Sequence, residues 1–349
     1  GPFVSFVCSL TCAFLVLYAG NFHSVLYTVF RDWMGATNPD FYFPDSTRFI
    51  GFDPDTDDKA FTEFVAYGFR AGDMHAHLLA TPAAVLAMIS LLSAMRNNWQ
   101  AAVSTWLYAV FYGWLLGLSY MTNAWDLAIS GLLAVLVGWV LLVRHDGPVS
   151  VRFDALFSAG MICLAVAFAT AAPFLDGFDA FAEGIRLADH RTPLWQLVVV
   201  YGHGIFAALF FIAFWYKSAV WSEPEHFFVG VLVVAIVLLI AIPELVYIKD
   251  AHGNDYARAN TMFKLSFRSQ MLLQVVAMAT ISFLVVGTRR EFLLACVLSV
   301  PIIATFSYAR ETYKGLAIIR NLDGLAFLGA EREMVEYIRD IRRTESAVI

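Results

Sequence analysis

Nine runs of about twenty apolar residues constrain this chain more than any other feature. They cover about 3–19, 78–94, 101–121, 127–143, 153–173, 194–216, 226–248, 269–287 and 292–308. A hydrocarbon core about 30 Å thick is crossed by about 20 residues of α-helix. Backbone amides in lipid must be bonded within the spanning element itself, so the runs predict helices and not open strands. The alternating pattern of a membrane barrel is missing. Only 15% of residues are charged and 60% are hydrophobic, where a soluble domain carries roughly a quarter charged residues. Mean hydropathy is +0.67. The predicted class is all-α: a polytopic transmembrane helical bundle of about nine spans, integral and multi-pass, with membrane lipids as neighbours.

The net charge of −6 is spread over the loops and argues against a nucleic-acid partner. Cys8, Cys12, Cys163 and Cys296 all lie inside apolar runs. They read as small residues of membrane helices and not as a disulfide framework. The chain opens Gly1-Pro2 directly on an apolar run and ends without a stop signal. The expected division is a bundle over 1–310, with an N-terminal part missing, and an extramembrane helical tail over 311–349 that begins a truncated soluble region. Within that tail, Met334, Val335, Ile338 and Ile341 share one helical face.

Short connections carry Arg96, Arg144 and Arg152, Lys217, and Arg289 and Arg290. With nine crossings these connections share one side, and positive short loops favour the cytoplasm. The opposite side, expected to be extracytoplasmic, receives 31–76, the tight turn 122–126, 174–193, 249–268 and the chain from Arg310. Asp53, Pro54, Asp55, Asp57 and Asp58 mark an acidic, turn-rich stretch. Phe61, Phe64, Val65 and Phe69 recur near helical spacing and predict a short interfacial helix. The segment 174–193, with Phe174, Phe178, Phe181 and Leu187, has the same character.

The chemically capable residues fall on that second side. Asp73-Met74-His75-Ala76-His77 precedes the second run. As a helix it puts Asp73 and His77 on one face; extended, it aligns Asp73, His75 and His77. Either form suits a divalent metal or a general base, and a helix N-cap with solvated histidines is the structural alternative. Asn123-Ala124-Trp125-Asp126 joins two runs with almost no loop, and Asp126 there is either paired or capping a helix. Arg191-Thr192-Pro193 opens the sixth run, and His203 lies ten residues inside it. Glu244, Tyr247 and Asp250 follow at steps of three. After the Gly253 turn, Arg258, Thr261, Lys264 and Arg268 recur at steps of three and four, a stripe of cation and hydroxyl suited to a lipid phosphate or diphosphate.

Taken in order, these blocks resemble the YYY membrane protein family (the Chlor_Arch_YYY domain). They are Ala19-Gly20-Asn21, the Asp-x-His-x-His block, Asn123 to Asp126, Arg191 to Leu194, Tyr201-Gly202-His203, Glu244 through Tyr247 and Asp250, Arg258-Ala259-Asn260-Thr261-Met262-Phe263-Lys264, and Leu322-Asp323-Gly324. The family is grouped with the GT-C polytopic glycosyltransferases. The resemblance implies a GT-C-like fold in the plasma membrane of a prokaryote. It implies transfer of a sugar from a polyprenyl-phosphate donor on the extracytoplasmic face, by inverting displacement with a carboxylate base and sometimes Mg or Mn. Asp73 would be base or metal ligand, with His75 and His77 as ligands or proton carriers and Glu244 among the catalytic carboxylates. Arg258, Lys264 and Arg268 would hold the lipid phosphate. Asn123, Asp126, Arg191, His203, Tyr247, Asp250, Asn260 and Thr261 would line the substrate site. Two departures stand out. Ala76 occupies the place where the family usually has Pro. The upstream Asn-Tyr-Tyr-Tyr segment is absent, and with it the loop that often supplies the catalytic acid in GT-C enzymes. The rival classes are a lipid or lipid-linked-sugar flippase, which uses the same charges without chemistry, and a non-catalytic assembly protein.

Overall fold

A computed structural model describes residues 2–40, 42–48, 50–73, 75–97, 102–144, 148–178, 184–217, 223–249, 256–314 and 332–345. Every apolar run is helical. The chain begins with α1 (Pro2–Tyr18), α2 (His23–Val29) and α3 (Arg31–Met34). A 3-10 turn, Phe43–Ser46, leads into β1 (Ile50–Phe52) and β2 (Asp55–Ala60). Next come α4 (Val65–Ala71), α5 (Ala76–Leu79), α6 (Thr81–Arg96), α7 (Ala102–Thr122), α8 (Ala124–Arg144) and α9 (Val149–Leu175). After β3 (Ile185–Leu187) follow α10 (Leu194–Lys217), α11 (Pro224–Leu245), β4 (Val246–Ile248), α12 (Ala259–Val285), α13 (Arg289–Ala304), α14 (Ser307–Tyr313) and α15 (Arg332–Glu345).

Among the described residues, seven helical stretches are long and apolar enough to cross a membrane: Ala76–Arg96, Ala124–Arg144, Val149–Leu175, Leu194–Tyr216, Pro224–Leu245, Ala259–Val285 and Arg289–Tyr313. An eighth results if α1 and α2, bent by 74°, count as one span. Helix α7, with five Trp and Tyr residues, is not among them, so the count is seven or eight where nine was expected. The outer segments also depart from an all-helical expectation. β1 pairs antiparallel with β2, and β3 pairs antiparallel with β4, with Arg186 opposite Tyr247. The aromatic stretch near Phe64 does form a helix, α4. The part of 174–193 that is described contributes β3 instead, whose three residues are all exposed; Phe181 lies outside the described residues.

Contacts divide the chain into two units, Gly1–Thr312 and Tyr313–Ile349. In the first, α12 is the central element and packs against α1, α10, α11 and α13. Its buried residues include Thr261, Ser266, Arg268, Ser269, Gln270, Gln274 and Thr280 beside its apolar ones. Helix α7 lies close against α9 because Gly113 and Gly117 admit the facing backbone. A Cβ at Gly113 would stand 2.4 Å from the Cys163 carbonyl oxygen, and one at Gly117 would stand 2.8 Å from that of Ala167. Small residues one turn apart are the usual means by which membrane helices approach closely. Pro82 and Pro224 sit in the first turns of α6 and α11, where no helical N–H is lost. Thr288 and Glu291 form a capping box at the start of α13. In the second unit, α15 leaves Met334, Tyr337 and Ile338 exposed along one side.

Candidate functional site

Two polar clusters form where loop residues meet the helix ends. The first is built on His77, in the first turn of α5. Its side chain is 1% exposed. Nε2 lies 2.8 Å from Glu63 Oε1, and Nδ1 lies 3.3 Å from Lys264 Nζ. An ammonium has donors and no lone pair. His77 Nδ1 therefore accepts from a charged Lys264 while Nε2–H donates to Glu63; a proton moved onto Nδ1 leaves Lys264 a neutral amine. The spacing lets one proton pass between imidazole and amine beside the buried Glu63 side chain. Phe263 and Phe267 of α12 close over the ring, with centroids 5.4 and 4.5 Å away.

Below this relay, Arg268 grips Asp126 with two parallel bonds of 2.5 and 2.7 Å, and both side chains are 2% exposed. Asn123 donates to the same carboxylate at 2.9 Å. The remaining guanidinium donors reach the His77 carbonyl at 3.0 Å and the Thr81 hydroxyl at 3.1 Å. This explains Asp126: a carboxylate at that depth is tolerated because a fork-shaped cation and an amide satisfy it.

Above the relay the cluster opens to water. Asp73 and His75 are joined at 2.7 Å and are 32% and 44% exposed. The hydrogen bond from His75 is the main reason the Asp73 carboxyl sits below the usual carboxylate range; burial opposes it, and the neighbouring His75, Arg48 and His77 add to the lowering. Arg48 reaches Glu63 Oε2 at 3.0 Å, at an angle that forms no hydrogen bond, and Asp73 Oδ2 at 3.7 Å. The His75 and His77 rings lie 5.2 Å apart. Glu63, Asp126, Arg48 and Asp73 all lie close enough to Lys264 to act on its charge.

The second cluster is a brace. Arg258, the residue that precedes α12, is 6% exposed. It bonds Asp58 at 2.5 Å, Glu244 at 2.7 Å, the Thr192 hydroxyl at 3.0 Å and the Pro243 carbonyl at 3.3 Å. Thr192 closes the ring, donating its N–H and its hydroxyl to Glu244 at 2.8 and 2.7 Å. Burial opposes the charge on Arg258, and its two carboxylates outweigh that and hold it more firmly than a free guanidinium. The brace ties the β1–β2 hairpin to the ends of α10, α11 and α12. A third carboxylate, Asp53, is also structural. Burial opposes its ionisation, but the Thr37 and Asn38 N–H groups and the Thr37 and Tyr27 hydroxyls hold it below the usual range.

Asp73, His75, His77, Asn123, Asp126, Lys264 and Arg268 are therefore brought together. Glu244 and Arg258 belong to the brace, and Thr261 lies beside it, accepting the Ile248 N–H at 3.0 Å. Arg191 is exposed and folds back on the Ala188 and His190 carbonyls. Tyr247 is half-buried in β4, and Asn260 is half-buried in the first turn of α12. His203 is buried inside the bundle against Gln274. Asp250 and Leu322-Asp323-Gly324 lie outside the described residues.

Two arrangements differ from the ones expected. Arg258 and Arg268 hold carboxylates, which leaves Lys264 as the member of the basic stripe with no carboxylate within 4.0 Å among the described residues. Among the described residues, Asp73, His75 and His77 are not placed as a three-ligand group. His77 spends one nitrogen on Glu63 and faces an amine with the other, and no group of three or more His, Cys, Asp or Glu among the described residues is placed to hold a metal. Sequence reasoning missed Glu63, Arg48, Asp58 and Thr192 as functional positions. Glu63 carries a signal, since it is a single carboxylate inside the aromatic stretch Phe61-Thr62-Glu63-Phe64. Arg48 carries none.

Fold and clusters together define an integral, multi-pass helical membrane protein with a polar site at the ends of its central helices. The chain belongs to a family described as uncharacterized membrane protein (DUF2298), whose model matches residues 2–237 and 218–273. No curated protein and no solved structure matches it.

Proposed function

We propose that the chain is a membrane glycosyltransferase of GT-C type that takes its sugar from a polyprenyl-phosphate donor on the extracytoplasmic face, and that the Asp73–Lys264 cluster is its reacting centre. The observation that carries the reading is Lys264. Its amine lies on a membrane helix, 3.3 Å from the His77 imidazole and without a carboxylate within 4.0 Å among the described residues, and the His77 ring in turn lies 5.2 Å from that of His75 in the exposed Asp73–His75 pair. A lone cation at the edge of a bilayer, next to a carboxylate kept ionised, matches a substrate with a lipid tail, a phosphate and a reacting carbon.

In the proposed step the acceptor hydroxyl gives its proton to Asp73 as its oxygen bonds the anomeric carbon. The bond from that carbon to the phosphate oxygen breaks, and the electron pair leaves on polyprenyl phosphate. Lys264 meets the charge that develops there, and His75 relays the proton from Asp73 to water. Arg48, whose contact with Asp73 is the longer of its two at 3.7 Å, turns to the phosphate and frees the carboxylate. Arg268–Asp126 and the Arg258 brace are positioning elements.

The test is transfer by the purified full chain in detergent, with a polyprenyl-phosphate sugar and a hydroxylated acceptor. The expected result is polyprenyl phosphate released together with glycosylated acceptor, reduced about 10²–10⁴-fold by Asp73→Asn. Movement of intact donor across vesicles with no phosphate released would identify a flippase and overturn the proposal.

A further inference from the structure

Helix α12 carries a second polar row that the proposed chemistry does not use. Ser266, Gln270 and Gln274 are spaced by four residues, so they stand one above another on the side facing α10. The outer end of the row joins the site. Ser266 donates to the Thr62 hydroxyl at 2.7 Å, Tyr201 is hydrogen-bonded to Ser266, and Thr62 is the neighbour of Glu63. One turn inward, the Gln270 amide donates to the Val200 carbonyl at 2.8 Å. Another turn inward, the Gln274 amide meets His203 Nε2 at 3.0 Å. His203 is 0%, Gln270 5% and Gln274 3% exposed.

Three atoms along this row have no hydrogen-bond partner in the protein: Gln270 Oε1, Gln274 Oε1 and His203 Nδ1. Gln270 must present its NH₂ to a carbonyl, which leaves its oxygen over. The Gln274 amide nitrogen meets His203, and its oxygen and the second ring nitrogen are left over. An unbonded polar group in a lipid-embedded interior is strongly unfavourable, and neighbouring backbone or ordered water normally removes the cost.

We propose that α10 and α12 enclose a water-binding pocket that enters the bundle beside Thr62 and ends at His203 and Gln274. Water is the ligand class because the leftover groups are small, uncharged and mixed in donor and acceptor capacity. From Ser266 to Gln274 the row is about 12 Å long at 1.5 Å per residue. It then closes, since Ala277, Met278, Ile281 and Leu284 pack with Leu15, Ala207 and Ala295 in a wholly apolar cluster. The pocket is thus blind, and its opening lies beside the buried carboxylate of the Glu63–His77–Lys264 relay, where it can hold and return a proton. The inference stands on the burial and bonding of α10 and α12 and does not require the glycosyltransferase reading.

Radiolytic hydroxyl-radical labelling of the unaltered full chain in nanodiscs tests it, because radicals form where water is bound. Tyr201 is 2% exposed and lies on the row; Phe211 is 0% exposed and lies in apolar packing on the same helix. Corrected for intrinsic reactivity, Tyr201 is expected to label at least about tenfold faster than Phe211. Gln274→Leu, which deletes the inner end, is expected to lower labelling at Tyr201 several-fold. Equal, background labelling of Tyr201 and Phe211 in the unaltered chain would overturn the pocket, whatever the variant does.

Discussion

Helices α9 and α12 are each 27 residues long, and they are opposites. The most apolar window of α9 has a mean hydropathy of 2.1 and is 17% buried inside the protein; that of α12 has 1.4 and is 72% buried. Helix α9 turns Phe153, Phe157, Met161, Leu164 and Phe168 outward. Helix α12 turns Ser266, Arg268, Gln270 and Gln274 inward. Water-soluble proteins sort residues the other way. Here the surroundings are as apolar as Leu, so hydrophobicity cannot drive one helix against another, and polar groups gather inside where they bond each other. Among the spans of the described residues, α9 is the least buried and marks the rim, while α12 is the least hydrophobic and the most buried and marks the polar axis.

The largest expected effect is on the Arg268–Asp126 pair. Asp126→Ala, or Arg268→Leu alone, leaves one buried charge and is expected to cost about 3–5 kcal/mol. The double replacement Asp126→Leu with Arg268→Met is expected to recover most of it. Unfolding in detergent micelles checks this, and a single variant as stable as the parent would remove α12's claim to a dry ionic core. Next comes a charge on the rim. Leu164→Arg, on the lipid face of α9 and 62% exposed there, is expected to disfavour membrane insertion by about 2.5–3.5 kcal/mol, measured as the inserted fraction in a translocation assay.

A smaller effect concerns Asp73. Its folded pKa lies below the ordinary carboxylate value, so its stabilising contribution is present above about pH 4 and is lost as pH falls through the lower folded value. Asp73→Asn is therefore expected to lower the unfolding midpoint slightly between pH 5 and 8 and to converge with the parent in stronger acid. A pH-independent difference would assign Asp73 a different partner. The smallest effect is expected at Phe157, 60% exposed on α9, where Phe157→Leu is expected to change stability by no more than about 0.5 kcal/mol.

The same contrast explains what the sequence made legible. Apolar runs follow from bilayer thickness alone, and each of the nine lies mainly in helix. The meeting of His77, Asp126, Lys264 and Arg268 comes from tertiary packing of α5, α8 and α12 and not from a count of nine crossings, since seven or eight helices are long and apolar enough to span. The basic stripe was less faithful. Arg258 precedes the helix, so helical spacing does not govern it, and it turns to Asp58 and Glu244 while Lys264 and Arg268, one turn apart, share a face. Glu63 and Arg48 were missed because their importance lies in tertiary pairing with His77 and Asp73, which no periodicity encodes. The β3–β4 pair was missed because three exposed residues carry no alternation to read.

The account rests most on Lys264 as the cation that receives the departing phosphate. Polyprenyl phosphate released from a polyprenyl-phosphate sugar should be measured for the full chain, for Lys264→Ala and for Lys264→Arg, each at matched unfolding midpoint. The account predicts release by the parent, a loss of at least about 100-fold in Lys264→Ala and partial activity in Lys264→Arg. An unchanged rate in Lys264→Ala, or no release by the parent, would contradict it.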